Sequence, residues 1–505
     1  MDYIMAFDVG TSALKAILID QCGHIRGSAQ ATYGLIFSKS GQVEVNPADW
    51  WQAVTKASRT IMAGTDVPAK NVKGLVFCTQ ASNIIPIGND GAVLRPGISW
   101  MDSRADEEAA EIMEMLGGPE QAVALLGTEF TGMDVLPKIR WIMKNEPHIF
   151  QKLRTTLDCN GYLTYRATGE LTFDICSASF LGYDKQAGDV YRDLLALSGL
   201  DMDKFPRLVK SYEKIGPLTQ AAAEEMGLTR ETIVFGGTDD MQGTSIGSGM
   251  ASEGDAHVYL GTSGWASVVT GDIKGLSNGG GCIMSADPDL YLWTYSTQNC
   301  CAAFDWFIDN FYAAEKASPL IPNVYDFVCH LVEQVPAGSG GVLFNPWLSG
   351  ERSPVQDAFT RGGFLNIGLE HRREHMLRAV MEAVAYNLRW CFESLEADLG
   401  TKMQAVRILG GGTRSRVWMQ IFADVFGREM EVVKDSQIAG AIGAAYLGAI
   451  GLGFCEGFDG AKEWSKLAAV YTPSPGHTAL YNDGYARFKE SYEAVKQPYR
   501  RWNKG

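Results

Sequence analysis

The sequence lacks the cysteine patterns that mark small secreted or metal-stapled proteins. Its ten cysteines are scattered over 505 residues without a CxxC pair, which argues against a structural zinc site and a disulfide framework. We interpret them as mostly buried thiols in a reducing compartment. No Lys or Arg precedes Lys15, and Asp2 and Asp8 interrupt the first apolar run. The sequence therefore predicts no signal peptide and favours a cytoplasmic location.

Positive charge is also scarce. The chain has 44 Lys and Arg against 59 Asp and Glu, a net charge of −15, which argues against binding nucleic acid or anionic membranes. A local basic pocket for a phosphorylated ligand remains compatible with this charge. The run from Ile438 to Cys455 is uncharged over about 18 residues, close to the length of a membrane span. Because it is rich in Gly and Ala, it predicts a buried, closely packed helix instead.

No Walker A pattern occurs and no GxGxxG follows a predicted strand, which argues against P-loop and Rossmann folds. What the chain has is a hairpin pattern at Met5–Asp20 that is broken at Gly10, and a second one at Ala256–Thr270. Both contain Gly-Thr-Ser, so they suggest a duplicated architecture. Strands alternate with helical patterns such as Glu374–Leu399, which predicts an α/β fold. We place a domain boundary between residues 245 and 246, giving domains 1–245 and 246–505.

The first hairpin carries an acid beside small polar residues. Asp8 ends the predicted strand, Thr11 and Ser12 form the turn, and Lys15 follows. Such a turn can present N–H groups and hydroxyls to an anion, while the carboxylate can hold Mg²⁺. An ordinary hairpin with a turn-stabilising glycine explains the same pattern equally well.

Two carboxylates follow a Gly-Gly turn in the segment Phe235–Asp240. Asp239 and Asp240 stand at the end of an apolar strand, where ligands bind in open α/β sheets. A carboxylate at that position can accept the proton of a substrate hydroxyl. The alternative is an Asx-capped turn without catalytic function.

Two further glycine-rich turns complete the set. Thr262 lies in the second Gly-Thr-Ser turn and is predicted to face phosphate oxygens. The strand Val406–Leu409 runs into Gly410-Gly411-Gly412 and a helix from about Ser415, where a base or ribose can lie against the backbone. Tight packing explains these glycines as well.

Together, the four motifs resemble those of the superfamily of sugar kinases, heat-shock protein 70 and actin. Their order and spacing resemble the FGGY family of carbohydrate kinases over essentially the whole chain. Ser349–Pro354 and the run 362–382 match that family's segments, although Asn366 replaces a usual glycine. The resemblance implies two duplicated ribonuclease H-like domains with a nucleotide and sugar cleft between them, and it leaves a homodimer open. A peptide-binding ATPase of the heat-shock protein 70 type is disfavoured, because the chain after Gly412 has too few residues for a separate peptide-binding domain.

Within the family, the xylulokinases are the most similar group. The segments Val72–Gln80, Leu94–Pro96 and Trp100–Arg104 resemble theirs at the same spacing. Ser82, however, stands where those enzymes carry a histidine, a change that can alter the preferred sugar. The implied function is ATP-dependent phosphorylation of a sugar or polyol hydroxyl, with a ketopentose as first choice. A different polyol, ketose or aldonate substrate, and a catalytically silent sugar sensor, are the alternatives.

The resemblance also assigns roles to individual residues. Asp239 is expected to be the general base, ionised at neutral pH with a pKa near 4, roughly the free value. Trp100 is assigned to the sugar, although a tryptophan is more often part of a core. The implied ligands are a sugar or polyol, ATP and Mg²⁺. The other implied contacts are Gln80, Ser82, Asp102 and Asp240 for the sugar, Thr11, Ser12, Lys15, Thr262, Gly411, Gly412 and Ser415 for the nucleotide, and Asp8 for Mg²⁺.

Overall fold

Two seven-stranded sheets, one in each half of the chain, form the framework of the protein. The computed structural model describes residues 1–38, 42–118, 120–122, 129–185, 187–271 and 280–503. In spatial order, the N-terminal sheet contains Lys214–Pro217, Ile233–Phe235, Val72–Thr79, Tyr3–Val9, Ala13–Asp20 and Ile25–Thr32, with Thr238–Asp239 paired to Val72–Thr79. The C-terminal sheet contains Gly281–Met284, Tyr291–Thr297, Gly264–Thr270, Ala256–Leu260, Ala405–Gly410, Glu429–Val433 and Leu467–Tyr471.

The two sheets repeat one topology. In each sheet, the first strand forms an antiparallel hairpin with the second. The next strand in space, Ile25–Thr32 in one sheet and Tyr291–Thr297 in the other, lies antiparallel to the second. On its other side the first strand is followed by two parallel strands and then by an antiparallel edge strand. The predicted α/β fold with duplicated domains is therefore confirmed, and the Gly-Thr-Ser hairpins open both copies.

The two hairpins differ in their turns, although both contain Gly-Thr-Ser. In the first, Val9 pairs with Leu14, so four residues form the loop. In the second, Leu260 pairs with Gly264, so three residues form it. The shared tripeptide therefore sits in two different backbone arrangements.

Helices cover both faces of the sheets. Their apolar residues recur at helical spacing, so each helix has an apolar side that packs on a sheet. Arg373–Leu399 packs on the C-terminal sheet, and Pro47–Ala63 packs on the N-terminal one. The other α-helices are Asp106–Met115, Val135–Asn145, Pro147–Phe150, Cys159–Thr168, Ile175–Ala178, Arg192–Leu197, Gln220–Met226, Asp240–Gly247, Cys301–Phe311, Ala313–Lys316, Val324–Glu333, Arg416–Phe426, Ala439–Leu452, Ala461–Trp464 and His477–Asn503.

Short strands and single helical turns fill the loops between these elements. Ile36–Phe37, Val43–Val45 and Gly97–Ile98 form a three-stranded sheet. Two-stranded pairs join Ile85–Gly88 to Leu153–Leu157, Thr172–Asp174 to Arg207–Val209, Tyr183–Asp184 to Asp189–Val190, and Leu343–Asn345 to Gly363–Leu365. The 3₁₀ turns are Ala69–Asn71, Ser179–Leu181, Met202–Lys204, Ser339–Gly341, Gly411–Arg414 and Ser436–Ile438.

The uncharged run near the C-terminus forms the helix Ala439–Leu452, and the prediction of a buried, closely packed helix is confirmed. Four of its alanines and Ile442 pack on the face of the N-terminal sheet that carries Ile4, Ala6 and Val76. In the described part of the chain, no helix has the length and apolarity that a bilayer crossing requires.

This helix crosses the helix Asp240–Gly247 at backbone contact distance. A Cβ atom at position 443 would lie 2.0 Å from the carbonyl oxygen of Gly243, and one at position 247 would lie 1.9 Å from that of Ala439. Only glycine permits this approach, so the crossing fixes how an element of the C-terminal half sits on the N-terminal half.

The departure from the family pattern at Asn366 has a local explanation. Its φ angle is 60°, in the left-handed region where glycine is favoured and asparagine is tolerated better than most residues. Its Nδ2 donates a 2.9 Å hydrogen bond to the carbonyl of Gly341. The substitution therefore keeps the turn.

We expect Gly443→Ala to destabilise the protein by about 1–3 kcal/mol, because the new methyl group would overlap a backbone carbonyl and push the two helices apart. This should outweigh the gain in helix propensity of about 1 kcal/mol. Chemical denaturation monitored by circular dichroism measures it. Gly216→Ala is the control, since its Cβ would meet no atom within 4 Å. Unchanged stability of Gly443→Ala would show that the crossing can relax freely.

Candidate active site

The ends of three parallel strands bring the predicted catalytic residues together. Val9 lies opposite Thr79, and Thr79 lies opposite Asp239 in the neighbouring ladder. Asp8, Gln80 and Asp239 consequently meet at one edge of the N-terminal sheet, although they are far apart in sequence. This is the edge at which open α/β sheets bind ligands.

The two carboxylate oxygens of Asp239 have different environments. Oδ1 caps the helix Asp240–Gly247 by accepting hydrogen bonds from the backbone N–H groups of Met241 at 2.9 Å and Gln242 at 3.0 Å. Oδ2 is buried and has no hydrogen-bond partner among the described residues. A buried acceptor without a partner costs free energy, so this oxygen is ready for a ligand hydroxyl. Asp239 is thus both the helix cap of the alternative interpretation and a candidate base.

The expectation of an ordinary pKa for Asp239 is wrong. Burial raises its pKa well above the usual value, and the negative charges of Asp240 and Asp174 raise it further. The backbone hydrogen bonds to Oδ1 oppose this shift only partly. No local pattern indicated Asp174, which the fold brings close to Asp239 from the strand Thr172–Asp174.

Asp8 and Asp240 form an electrostatically strained pair beside Asp239. Burial, followed by the charge of Asp8, raises the pKa of Asp240 to about 7. Burial also raises the pKa of Asp8, although the Nζ atom of Lys15 lies 3.7 Å from its Oδ2. A cation would relieve this repulsion, and Mg²⁺ is commonly held by one or two carboxylates together with phosphate oxygens and water. Among the described residues, no group of three or more His, Cys, Asp or Glu side chains suits a metal ion.

Trp100 lies in the cleft and not in a core. Its side chain is 40% exposed, and its indole N–H donates a 3.1 Å hydrogen bond to the hydroxyl of Thr11. Gln80 approaches the same turn, because its Nε2 donates to the carbonyl of Gly10 at 3.2 Å. Its Oε1 is buried and unpartnered among the described residues. The sugar-side and phosphate-side predictions therefore converge on one turn.

Asp102 is placed differently from its neighbours in the motif. It is fully buried, and its carboxylate accepts hydrogen bonds from the backbone N–H groups of Val43 and Arg104 and from the Arg104 guanidinium. These bonds lower its pKa despite its burial. With both oxygens engaged, Asp102 supports the Trp100 loop, and its contact with a sugar stays a prediction that this geometry does not favour.

Ser82 adopts an unusual backbone conformation for a residue other than glycine, with φ of 58°. Sequence reasoning did not identify the neighbours that hold this loop. The Oδ1 of Asn83 accepts a 3.3 Å bond from the N–H of Trp100, and the buried Lys138 binds the carbonyl of Ser82 at 3.1 Å. Asn83 follows the segment Val72–Gln80 closely, so the sequence could have indicated its role in this loop. Nothing in the sequence around Lys138 indicates such a role.

The second hairpin and the glycine-rich turn form the predicted nucleotide side. Leu260 and Gly410 lie opposite each other in parallel strands, so the turns that follow them are adjacent. Gly410 has φ of 106°, and a Cβ there would lie 2.4 Å from the carbonyl of Leu260. Thr262 and Gly411 are exposed, and a Cβ at Gly411 would meet no atom within 4 Å. The space beside Gly411 suits a flat group.

The remaining residues predicted to contact the nucleotide differ in exposure and in their partners. Gly412 packs on Leu260 and Cys301, so close packing explains this glycine. The hydroxyl of Ser415 caps the helix Arg416–Phe426 and lies 3.1 Å from the Sγ of Cys329. Ser12 is exposed at the tip of the first hairpin. Nucleotide contacts of these residues stay predictions.

Tyr259 links the two sides of the site. It belongs to the strand that leads into the second hairpin, and its ring stacks on Trp265 at 3.9 Å. Burial, then the charges of Asp240 and Asp8, raise its pKa to about 12. The carboxylates of the N-terminal half are therefore close enough to act on the C-terminal half.

We expect Asp240→Asn to stabilise the protein at pH 8 by about 1–3 kcal/mol. Because the folded-state pKa of Asp240 is raised to about 7, the wild type loses stability as pH rises from about 4 to 7. The asparagine variant avoids that loss, so the difference should vanish near pH 4. Thermal unfolding from pH 4 to 8 measures it. The exposed Asp203→Asn is the control, and an equal effect there would refute the assignment.

Comparisons with known proteins identify the family of the chain and agree with its fold. The family model described as "FGGY family of carbohydrate kinases, N-terminal domain" matches residues 3–247, and the corresponding C-terminal model matches residues 243–452. A xylulose kinase of Bacillus subtilis is 29% identical over 502 residues, with 98% of each chain covered, and a gluconokinase of the same organism is 29% identical, covering 93% of this chain and 92% of the relative. The crystal structure of a xylulose kinase from Rhodospirillum rubrum has a TM-score of 0.88 at 27% identity, covering 99% of this chain and 100% of that one. The chain belongs to the FGGY family of carbohydrate kinases.

Proposed function

We propose that this carbohydrate kinase transfers the γ-phosphoryl group of ATP, with Mg²⁺, to a hydroxyl group of a sugar or polyol, with a ketopentose as the first candidate. The buried Oδ2 of Asp239, which has no hydrogen-bond partner among the described residues, supports this proposal, because an attacking hydroxyl needs an acceptor for its proton. The relatives with similar sequences include xylulose kinases and a gluconokinase. These relatives favour a sugar or sugar acid over other alcohols.

Asp239 would act as the general base. Its Oδ1 is fixed by two backbone N–H groups, so Oδ2 points in one direction and accepts the hydroxyl proton as the oxygen attacks phosphorus. The raised pKa makes the carboxylate a stronger base than a free aspartate, provided that it is ionised. The rate of catalysis should therefore decrease as the pH is lowered and Asp239 becomes protonated.

The phosphate groups would lie between the two hairpins. Asp8 would hold Mg²⁺, which supplies charge neutralisation at the phosphate oxygens when bound, and Asp240 stays a proposed contact of the sugar. Backbone N–H groups and hydroxyls of the turns would bind the oxygens themselves. The proposed nucleotide contacts are Thr11, Ser12, Lys15, Thr262, Gly411, Gly412 and Ser415.

The sugar would lie against Trp100, whose exposed ring offers an apolar face to C–H groups. The free Oε1 of Gln80 can accept a hydrogen bond from a sugar hydroxyl. The side chain of Ser82 is shorter than the histidine of the xylulokinases and leaves space beside Trp100 and Gln80. The domain boundary between residues 245 and 246, the cytoplasmic location and a homodimer stay proposals; the homodimer follows from the resemblance to the family, and the other two follow from the sequence pattern.

We expect Asp239→Asn to lower kcat at least about a thousandfold, because the amide cannot accept the hydroxyl proton. The asparagine side chain can still cap the helix through its oxygen, so folding should persist. Coupled measurement of ADP release gives the rate, and calorimetric titration should show retained Mg²⁺-ATP binding.

The control is Asp20→Asn, which changes another buried aspartate that accepts hydrogen bonds from two backbone N–H groups, those of Cys22 and His24. Its kcat should stay within about threefold of wild type, since Asp20 lies opposite Tyr3, at the end of the hairpin remote from Asp8. Retained turnover in Asp239→Asn would remove Asp239 from the role of base.

We expect only a weak preference for xylulose, because Ser82 cannot form an imidazole hydrogen bond to the sugar. ADP release should be measured with ketopentoses, pentitols, tetritols, hexoses, aldonates and glycerol. Ser82→His should raise kcat/KM for xylulose by about tenfold or more, and the left-handed backbone at this position tolerates histidine. A strong xylulose preference in the wild type would show that the histidine is dispensable. Sugar-independent hydrolysis alone would support the sensor alternative.

A further inference from the structure

Lys138 is a fully buried lysine on the helix Val135–Asn145. Its Nζ atom donates hydrogen bonds to three backbone carbonyls: Ser82 at 3.1 Å, Ser99 at 2.9 Å and Met133 at 2.5 Å. An ammonium group has three N–H donors and no acceptor, so these three bonds use all of them. One side chain therefore joins three separate loops.

Two of these loops carry the proposed sugar contacts. Ser82 follows Gln80 and is held with φ of 58°. Ser99 directly precedes Trp100. A left-handed serine persists only when its surroundings hold it in place, and the ammonium group does so by binding the carbonyl of that residue. The same group fixes the peptide from which the indole of Trp100 extends.

The buried charge is held at an energetic cost. Burial lowers the pKa of Lys138 to about 7, while Asp134 and Asp102 oppose that shift and Arg104 adds to it. A methionine would fill a similar volume without burying a charge. A group that only filled space would not need the ammonium, whereas a group that binds three carbonyls does.

We propose that Lys138 is a positioning residue that holds the Ser82 and Trp100 loops in the arrangement that binds the sugar. This inference rests on the proposed function for the identity of the ligand. The hydrogen bonds of Lys138 all go to the carbonyls of Ser82, Ser99 and Met133, so its effect on sugar binding should be much larger than its effect on ATP binding.

The principal experiment compares Lys138→Met with Lys144→Met in the full-length protein. Lys144 lies on the same helix but is partly exposed and pairs with Glu108 and Glu111, so it controls for the substitution itself. With the sugar that the wild type prefers, Lys138→Met should raise the KM for sugar about tenfold or more. The KM for ATP should stay within about twofold, and Lys144→Met should change neither value beyond that range. Equal losses for sugar and ATP would overturn the proposal.

Hydrogen–deuterium exchange tests the same idea without turnover. In Lys138→Met, amide exchange should become faster in peptides covering residues 80–84 and 99–104, and should be unchanged in residues 256–270 of the nucleotide side. Unchanged exchange in the two sugar loops would overturn the proposal even if the protein were active. Absence of sugar-dependent turnover in the wild type would instead refute the proposed function, while the exchange result would still decide the role of Lys138 in the loops.

The pH dependence of the KM for sugar distinguishes a positioning role of the ammonium group from a purely structural role of the side chain. Above pH 7 a neutral amine retains only two donors, so the wild-type KM for sugar should rise between pH 7 and 9. Asp134, Asp102, Arg104 and Asp240 remain in the variant, so only the loss of Lys138 should flatten this rise. A rise of equal size in Lys138→Met would contradict the assignment.

Discussion

The close crossing of two glycine-bearing helices is the contact on which the site depends. Asp240–Gly247 begins at the edge of the N-terminal sheet that carries the candidate site, and Ala439–Leu452 comes from the C-terminal half. Because Gly243 and Gly443 allow backbone contact, the start of the second helix reaches the first hairpin, where a Cβ at Gly440 would lie 2.9 Å from the Cγ of Asp8. Side chains at these positions would separate the halves and open the site. The packing of small residues therefore sets the spacing at which nucleotide and sugar can be brought together.

The site gathers groups that lower the stability of the folded chain. Burial raises the pKa values of Asp8, Asp239 and Asp240, and repulsion from neighbouring carboxylates raises those of Asp239 and Asp240 further. Ser82 has a left-handed backbone, and Lys138 carries a buried charge. Each is unfavourable for folding alone, yet each makes sense if a cation, a phosphate chain and a sugar occupy the cleft. Such concentrations of unfavourable groups are typical of functional sites.

Sequence reasoning reached the fold, and it named residues that the structure brings together at the candidate site, because hairpins and glycine turns have local signals. The helix Arg373–Leu399 was predicted to within one residue from apolar spacing, as Glu374–Leu399. The repeated Gly-Thr-Ser turns indicated duplication, although the loops differ by one residue. The ordinary pKa expected for Asp239 was wrong, because burial and the charges of Asp240 and Asp174 raise it, and Asp174 comes from a distant segment. The exposure of Trp100 excludes a core position, and its contact with a sugar stays a prediction.

By itself the sequence determined the α/β class, the duplicated plan and the identity of the acids and turns, because these depend on residue type and short-range spacing. Only the tertiary structure decided which groups meet. It left one oxygen of Asp239 without a partner, turned the carboxylate of Asp102 toward Arg104, and placed Lys138 beneath two loops. These outcomes depend on strand register, burial and charges brought together from distant segments. No local pattern carries that information, because hydrogen bonding and desolvation are properties of the assembled surroundings.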